Sequence, residues 1–304
     1  MAAGRSLTAF DLTLLVVVGV AWGSAYVAIR EGILAGASPL AFAAVRYALA
    51  SVGFVALAAA RRERLPSRRA LVVSAALGTL IIGLYGALLY LGEESTPGGY
   101  ASVLAATAPI LTAVFGYPLL PSERFRLLGW AGIGVGFVGV VLLVLPALDA
   151  GGVGVGRGPL VVLASFAVFC VGSVLLRRWN PGGESVWQIA AQFAVGSAVV
   201  LALFPLTPGP ESLPLTPVVW GWLAVLVGLS SILGYLVYFA LHHRVGPGRA
   251  NLVAYLVPSV GLGIGTGVFG EPITALEVAG LLLVILGVSL VFRERGTGRS
   301  DPSG

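Results

Sequence analysis

Long apolar runs separated by short polar segments recur along the whole chain. A transmembrane helix needs roughly 20 mostly apolar residues, and ten runs approach that length. They cover about residues 12–29, 39–60, 70–91, 99–119, 127–146, 158–176, 186–205, 218–241, 250–269 and 274–292. Apolar residues lie on every face of these runs, which favours helices over the alternating strands of a transmembrane barrel. The pattern therefore predicts an all-α polytopic membrane protein with ten transmembrane helices.

Composition supports the same class. The 304 residues are 58% hydrophobic and 10% charged, whereas soluble domains are about 45–50% apolar and about a quarter charged. So few charges do not cover the surface of a soluble protein, and we exclude a soluble enzyme, a disordered chain and a nucleic-acid binder. The first run follows Arg5 as the core of a signal peptide would. We interpret it as a retained helix, because nine more runs follow it and the internal repeat described below includes it.

The distribution of arginines predicts the orientation. All 18 basic residues are Arg. With a cytoplasmic N-terminus, the alternation of runs places 15 of them on the cytoplasmic side, Arg30 and Arg157 outside, and Arg46 within the second run. Cytoplasmic loops of membrane proteins are enriched in Lys and Arg. We therefore predict a multi-pass protein of the cell (inner) membrane with both termini in the cytoplasm. The net charge of +5 is then a sign of topology and does not indicate nucleic acid.

The two halves of the chain repeat each other. Each half contains five predicted spans, and an odd number forces the second half to cross the membrane in the opposite direction. We therefore predict two five-helix repeats of inverted topology, residues 12–147 and 158–292, followed by a cytoplasmic tail, 293–304. Inverted repeats recur in secondary transporters, which alternate access around a site near the midplane. Pro109 and Pro258 are 149 positions apart, and the pairs Glu123 and Glu271, Gly132 and Gly280, and Gly139 and Gly287 are each 148 apart.

Several short segments carry a family resemblance by their order, spacing and duplication. They are Ala21-Trp22-Gly23-Ser24, Pro39 through Arg46-Tyr47, Tyr238-Phe239-Ala240-Leu241, Arg244-Val245-Gly246-Pro247, and Pro258 with Gly270-Glu271-Pro272. Over about residues 12–292 the chain resembles the EamA family of the drug/metabolite transporter superfamily. The resemblance implies ten helices, cytoplasmic termini, a cavity between the halves, and export or exchange of small metabolites such as amino acids. The chain departs from the family at Ser122, where a Gly usually precedes the residue that corresponds to Glu123.

Arg46 is the clearest charge within a predicted span. It lies seven residues after Pro39, which is roughly 10 Å along a helix. Charges within the membrane are costly and usually face a cavity or a partner. One interpretation is that the guanidinium binds a substrate carboxylate, for which its planar geometry is suited. The alternative is a structural arginine that binds backbone carbonyls or extends to the interface.

Polar and aromatic residues at helical spacing are the other candidates for substrate binding. Stripes of this kind suit a cavity wall, but hydrogen bonding and packing between helices are equally good explanations. Pro109 and Pro258 remove backbone hydrogen bonds and are candidate gating hinges, or else static kinks. The candidates for the cavity wall, besides Arg46, are Trp22, Tyr85, Tyr235, Tyr238, Asn251 and Tyr255.

The predicted function is a secondary transporter that exports or exchanges a small polar metabolite, most plausibly an amino acid or a related compound. Its expected partners are that small molecule and the lipid bilayer, and it is expected to be a monomer or homodimer. We predict no catalytic residue, cofactor or metal site. No Asp, Glu or His falls deep within a run, which argues against the mechanism of small multidrug exporters and favours facilitated exchange, or coupling through groups that the sequence does not reveal. The alternatives are a membrane-embedded enzyme acting on lipid, or a nucleobase or drug exporter; a channel is disfavoured because no filter-like loop is evident.

Overall fold

The protein is helical throughout the part that the structure describes. This computed structural model describes residues 8–96, 101, 104–121, 125–151, 157–180, 183–206, 212–260 and 274–293. Short helical turns at Phe204–Leu206 and Pro247–Ala250 flank the longer elements. Those longer helices are α1 (Ala9–Leu34), α2 (Pro39–Ala60), α3 (Arg68–Glu93), α4 (Ala108–Leu119), α5 (Leu127–Gly151), α6 (Arg157–Trp179), α7 (Val186–Ala202), α8 (Pro217–Val245), α9 (residues 253–260) and α10 (Ala275–Arg293).

Seven of the described helices, α1, α2, α3, α6, α7, α8 and α10, are long and apolar enough to cross a membrane. This confirms an all-helical, multi-pass membrane protein. The apolar helix α4 and the apolar part of α5 are shorter than a full span. The total of ten spans stays a prediction, because the ninth predicted run continues into residues 261–273, which lie outside the described residues.

Helix ends differ from the predicted runs where polar residues start a helix. Thr8 and Asp11 form a capping box that begins α1 at Ala9, before the apolar run at residue 12. A second capping box, of Ser185 and Gln188, begins α7 at Val186, where its predicted run also begins. Such residues accept hydrogen bonds from the free N–H groups of the first turn. Because they are polar, a search for apolar runs does not include them in the helix. Pro109 does not kink the middle of a long helix: residues 106–107 form a turn, and Pro109 lies in the first turn of α4, where its missing N–H costs nothing.

Two helices change from α-helical to π-helical geometry near their middle. The π-helical segments are Thr79–Leu84 in α3 and Leu226–Leu233 in α8. Their starts are 147 positions apart and their ends 149 apart, close to the spacing of the sequence repeat. Segments of this kind occur frequently at functional sites, and the apolar pattern does not predict them.

The helices of the two halves pair crosswise. The first helix of each half packs against the third helix of the other half: α1 against α8, and α6 against α3. The second helices of the two halves, α2 and α7, pack against each other, and so do the fifth helices, α5 and α10. Helix α4 contacts α6, while Gly19 and Gly23 of α1 face Leu256 and Val260 of α9. Each of these contacts therefore has an equivalent among the described residues when the halves are exchanged.

Small residues permit the closest of these contacts. A Cβ atom on Gly132 would lie 2.7 Å from the backbone oxygen of Gly287, and one on Gly139 would lie 2.6 Å from the backbone nitrogen of Val284. Close approach of backbones through small residues is a common way for membrane helices to pack. Gly132 and Gly139 therefore allow α5 and α10 to pack with their backbones close together.

Two contacts identify the opposite ends of the bundle. At one end, Nε of Arg244 in the last turn of α8 lies 2.6 Å from Oδ1 of Asp11 in α1; we call this the Arg244 end. At the other end, Nη1 of Arg30 donates to the backbone oxygen of Glu93, at 3.5 Å; we call this the Glu93 end.

Candidate functional site

A cavity of about 630 Å³ lies among the crosswise-paired helices. Helices α1, α2, α3, α6 and α8 contribute to it, together with the start of α4 and residues before and within α9. Its wall is mostly aromatic and aliphatic, with a few polar groups, as is usual for small-molecule sites. The larger or polar lining side chains are Trp22, Tyr26, Arg46, Tyr47, Tyr85, Phe166, Phe169, Ser230, Tyr235 and Asn251.

Arg46 contributes the cationic group of this cavity and is only 5% exposed. Its Nε donates to Oγ of Ser231 at 2.9 Å and its Nη2 to Oγ of Ser230 at 2.8 Å. Its Nη1 donates to the hydroxyl of Tyr90 at 3.0 Å. All three partners are neutral. A guanidinium has five N–H groups, so one N–H on each terminal nitrogen has no partner among the described residues.

The π-helical segment of α8 explains how two consecutive serines reach one arginine. Adjacent residues of an α-helix point in directions about 100° apart. The wider π-helical turn at Leu226–Leu233 brings the hydroxyls of both Ser230 and Ser231 to the Arg46 guanidinium. This local geometry therefore holds the cation in place across the interface between the halves.

An aromatic cluster forms the wall beside Arg46. The ring of Trp22 lies 5.2 Å from that of Tyr235, 4.8 Å from that of Tyr238 and 5.9 Å from that of Phe169, centroid to centroid. Tyr85 packs at 4.9 Å from Phe169. The indole N–H of Trp22 is buried and has no hydrogen-bond partner within the described chain. Rings at these distances give a wall that is apolar and of fixed shape.

A buried polar network lies at the side of the cavity that faces the Arg244 end. The hydroxyl of Tyr238 donates to Oδ1 of Asn251 at 2.9 Å and is hydrogen-bonded to Oγ of Ser173 at 2.9 Å. Nδ2 of Asn251 donates to Oγ1 of Thr112 at 2.7 Å and to Ser173 at 3.3 Å. The network joins α4, α6 and α8 to the chain before α9, and we call it the Asn251 network.

Five of the seven candidates for substrate binding lie in the cavity wall: Trp22, Arg46, Tyr85, Tyr235 and Asn251. Tyr238 lies behind Trp22, where it belongs to the Asn251 network. Tyr255 does not reach the cavity that we describe. Its ring packs on Gly136 of α5 and its hydroxyl donates to the backbone oxygen of Ile133 at 2.7 Å. The spacing of Asn251 and Tyr255 predicts that both side chains lie on one face of a helix. A turn at residues 251–252 separates the two, so that Tyr255 faces α5 while Asn251 faces the cavity.

Other lining residues were not among the candidates. Phe166 and Phe169 lie one turn apart on α6, and Ser173 follows on the same face. That spacing was visible in the sequence, but phenylalanines within an apolar run do not differ in polarity from their neighbours. The sequence therefore gave no reason to assign them to a cavity wall. Tyr26 was detectable as the neighbour of Trp22 one turn later. Tyr47 follows Arg46 directly and packs on Gly86 of α3.

The sequence predicts no Asp, Glu or His deep within a run, but two such residues are buried near the ends of their helices. Glu93 is the last residue of α3 and only 1% exposed, and His242 near the end of α8 is 2% exposed. Nε2 of His242 is 2.9 Å from the backbone oxygen of Ser173. Both residues looked like parts of loops, because the apolar runs stop just before them while the helices continue.

Comparison with known proteins now decides the family. The model of the EamA-like transporter family matches residues 10–145 and again residues 157–293. The chain belongs to the EamA-like transporter family. It is 31% identical over 276 residues to the "Uncharacterized inner membrane transporter YedA" of Escherichia coli strain K12, covering 89% of this chain and 86% of that protein.

Two further comparisons support the assignment. This EamA-like protein is 28% identical over 306 residues to the "Probable amino-acid metabolite efflux pump" of Salmonella typhimurium, covering 95% and 97% of the two chains. A solved crystal structure with 20% identity has a TM-score of 0.74, covering 93% of this chain and 96% of the other. The fold is therefore shared, and the chain is a membrane transporter of this family.

Proposed function

We propose that the protein is a secondary transporter that exports or exchanges a small metabolite carrying a free carboxylate, with amino acids as the first class to test. The observation that carries this is the position of Arg46 in the cavity wall, together with one N–H group on each of its terminal nitrogens that has no partner among the described residues. That fork matches the two oxygens of a carboxylate. The aromatic cluster around Trp22 would contact an apolar side chain of the substrate.

We propose that the substrate moves by alternating access between two inverted five-helix halves with ten spans in all. The crosswise helix pairing and the matching π-helical segments support this topology. The arginine distribution supports cytoplasmic termini, so that the Arg244 end would face the cytoplasm. The relatives named as an inner membrane transporter and an efflux pump support location in the inner membrane and outward transport. They also support a transporter and not a lipid-modifying enzyme.

The test is counterflow in proteoliposomes with labelled amino acids, nucleobases and sugars. We expect uptake of at least one neutral amino acid, and we expect its carboxamide analogue to compete poorly because it lacks the charge that Arg46 binds. Empty liposomes are the control. Absence of flux for every solute, with protein shown to be folded, would overturn the proposal. Flux of a nucleobase or sugar without amino-acid flux would replace the substrate class.

A further inference from the structure

The cavity wall carries an unbalanced positive charge among the described residues. Arg46 is its cation, and the three hydrogen-bond partners of Arg46 are the neutral hydroxyl groups of Tyr90, Ser230 and Ser231. No Asp or Glu side chain lies among the described residues of the wall. An uncompensated charge in a buried region is strongly unfavourable. The empty cavity therefore favours a ligand that brings one negative charge and no positive charge.

Glu93 does not supply the missing negative charge. It ends α3 and is only 1% exposed, whereas its neighbour Glu94 is exposed. Arg46 acts on it through space but donates its three hydrogen bonds to hydroxyl groups. Oε1 of Glu93 is buried without a hydrogen-bond partner within the described residues. Because a buried carboxylate without partners is costly, Glu93 is protonated and neutral, and the charge of Arg46 stays unbalanced.

An amino acid in this cavity brings its α-ammonium group close to Arg46. The ammonium nitrogen is bonded to the carbon that carries the carboxylate. Binding of the carboxylate to the guanidinium therefore places two positive charges within a few ångströms of each other, and like charges repel strongly where the dielectric constant is low. Apart from Arg46, the polar groups of the described wall are the Trp22 indole, hydroxyl groups and the Asn251 amide, all of them neutral.

The neutral groups that attract a cation are partly occupied. Oδ1 of Asn251 accepts a hydrogen bond from Tyr238 at 2.9 Å, and Oγ of Ser230 accepts one from Arg46 at 2.8 Å. An aromatic face also attracts cations, but the ring of Tyr47 already has Arg46 over it, with Cζ 5.4 Å from the ring centroid. An ammonium group therefore finds little to offset its repulsion by the guanidinium.

We propose that the preferred substrates are monocarboxylates without an ammonium group, such as 2-hydroxy or 2-oxo acids that carry an apolar side chain. This inference rests on the proposed function and names the class of carboxylate within it. The single negative charge balances Arg46, and the apolar side chain contacts the aromatic cluster around Trp22. Amino acids bind the same site more weakly, because their ammonium group restores the unbalanced positive charge.

The test compares ligands of matched shape in proteoliposomes. Each pair consists of an L-amino acid and the L-2-hydroxy acid with the same side chain, for alanine, leucine and phenylalanine. The hydroxyl group replaces the ammonium group at similar size and remains a hydrogen-bond donor. Counterflow of each labelled ligand gives its half-saturating concentration, and empty liposomes control for passive entry. We expect this concentration to be at least about tenfold lower for the hydroxy acid.

Asn251→Asp places a carboxylate in the cavity wall and is the matched variant. The two side chains have nearly the same shape, and the hydroxyl group of Thr112, which accepts a hydrogen bond from Asn251, can donate one to Asp instead. We expect the preference for the hydroxy acid to fall by about tenfold, because the new anion binds the ammonium group. Glu93→Gln is the control and should keep the wild-type preference, since a neutral Glu93 contributes no charge.

The outcomes separate this inference from the function beneath it. Absence of flux for every amino acid and every hydroxy acid, with folded protein, overturns the proposed function and this inference with it. Flux with equal or tighter binding of the amino acids overturns this inference alone. An unchanged preference in folded Asn251→Asp, or a larger one in Glu93→Gln, contradicts the charge balance on which it rests.

A second measurement does not depend on a variant. If Asn251→Asp does not fold, the 2-oxo acids with the same three side chains serve as competitors for the wild-type protein. They also lack the ammonium group, so we expect them to inhibit counterflow better than the corresponding amino acids. Inhibition no better than that by the amino acids would contradict the proposal.

Discussion

At the scale of single residues, the site depends on one buried cation, Arg46, which three neutral hydroxyl groups hold in the cavity wall. Arg46 was detectable because a charge in an apolar run has few explanations. Its partners were not, because Ser230 and Ser231 reach it through a π-helical segment that no apolar pattern reveals. Glu93 was missed because its helix extends two residues beyond the predicted run. Burial depends on neighbouring helices, which a single run does not describe.

Arg46→Lys tests the geometry of the cation and not only its charge. Lysine keeps the positive charge but cannot bond to three hydroxyl groups and present a fork to a carboxylate. Because hydrogen bonds to charged groups contribute about 1.5–3 kcal/mol, we expect the KM for a carboxylate substrate to rise by about tenfold or more. Transport kinetics in proteoliposomes measure this. The control is Arg178→Lys, since Arg178 is far from the cavity and bonds the backbone of Leu119; equal effects of both changes would contradict the expectation.

The buried carboxyl group of Glu184, between α6 and α7, leads us to expect that the folded state loses stability as the pH rises. Burial raises the pKa of its carboxyl group from 4.5 to about 7, despite hydrogen bonds from Nε2 of Gln192 at 2.6 Å and Nδ2 of Asn180 at 3.4 Å. A carboxyl pKa raised by folding favours the folded state below pH 4.5, and that contribution is lost as the pH rises through about 7. The loss is on the order of 2 kcal/mol, reduced from the full linkage because the residue is partly exposed.

Thermal unfolding in detergent at several pH values checks this dependence. The wild-type protein is expected to lose stability as the pH rises through about 7, whereas Glu184→Gln is expected to show a smaller dependence because the amide does not ionise. The exposed Glu94 provides the control, because Glu94→Gln should leave the wild-type dependence intact. Parallel pH profiles for the wild-type protein and Glu184→Gln would refute the assignment.

At the scale of helices, most elements followed from the apolar pattern, and packing decided the rest. The predicted run 39–60 coincides with α2, and the run 158–176 lies within α6. The run 99–119 was predicted as one helix, but the turn at 106–107 before Pro109 interrupts it. Apolar content does not reveal such breaks, because both sides of the turn are equally apolar.

The contact between α5 and α10 predicts a strong contrast between two glycines of the same helix. A Cβ at position 132 would meet the backbone of Gly287 at 2.7 Å, while a Cβ at position 134 has no atom within 4 Å. Gly132→Ala is therefore expected to lower the free energy of unfolding by about 1–3 kcal/mol through overpacking. Gly134→Ala is expected to be neutral or to stabilise by about 0.5–1 kcal/mol. Thermal unfolding of the two variants measures the difference, and equal stabilities would contradict it.

At the scale of the whole molecule, the crosswise pairing leaves one cavity surface shared by both halves. The Asn251 network closes it towards the Arg244 end, while the wall continues along Ile29 and Leu89 towards the Glu93 end. Alternating access requires contacts like these to break and re-form at opposite ends. The Asn251 network is therefore the expected gate at the Arg244 end.

Removing Asn251 tests this gate. Asn251→Ala deletes hydrogen bonds with Tyr238, Thr112 and Ser173, each contributing about 0.5–1.5 kcal/mol, and so should favour the state open at the Arg244 end. The reporter is Ala25→Cys in the cavity wall, in a Cys170→Ala background, labelled with a membrane-impermeant thiol reagent from the side of the Arg244 end. Because about 1.4 kcal/mol corresponds to a tenfold change in population, we expect labelling to become about tenfold faster.

Ser289→Ala, which loses only a bond within α10, is the control and should leave labelling unchanged. If Asn251→Ala also leaves it unchanged, the network does not control access from that end.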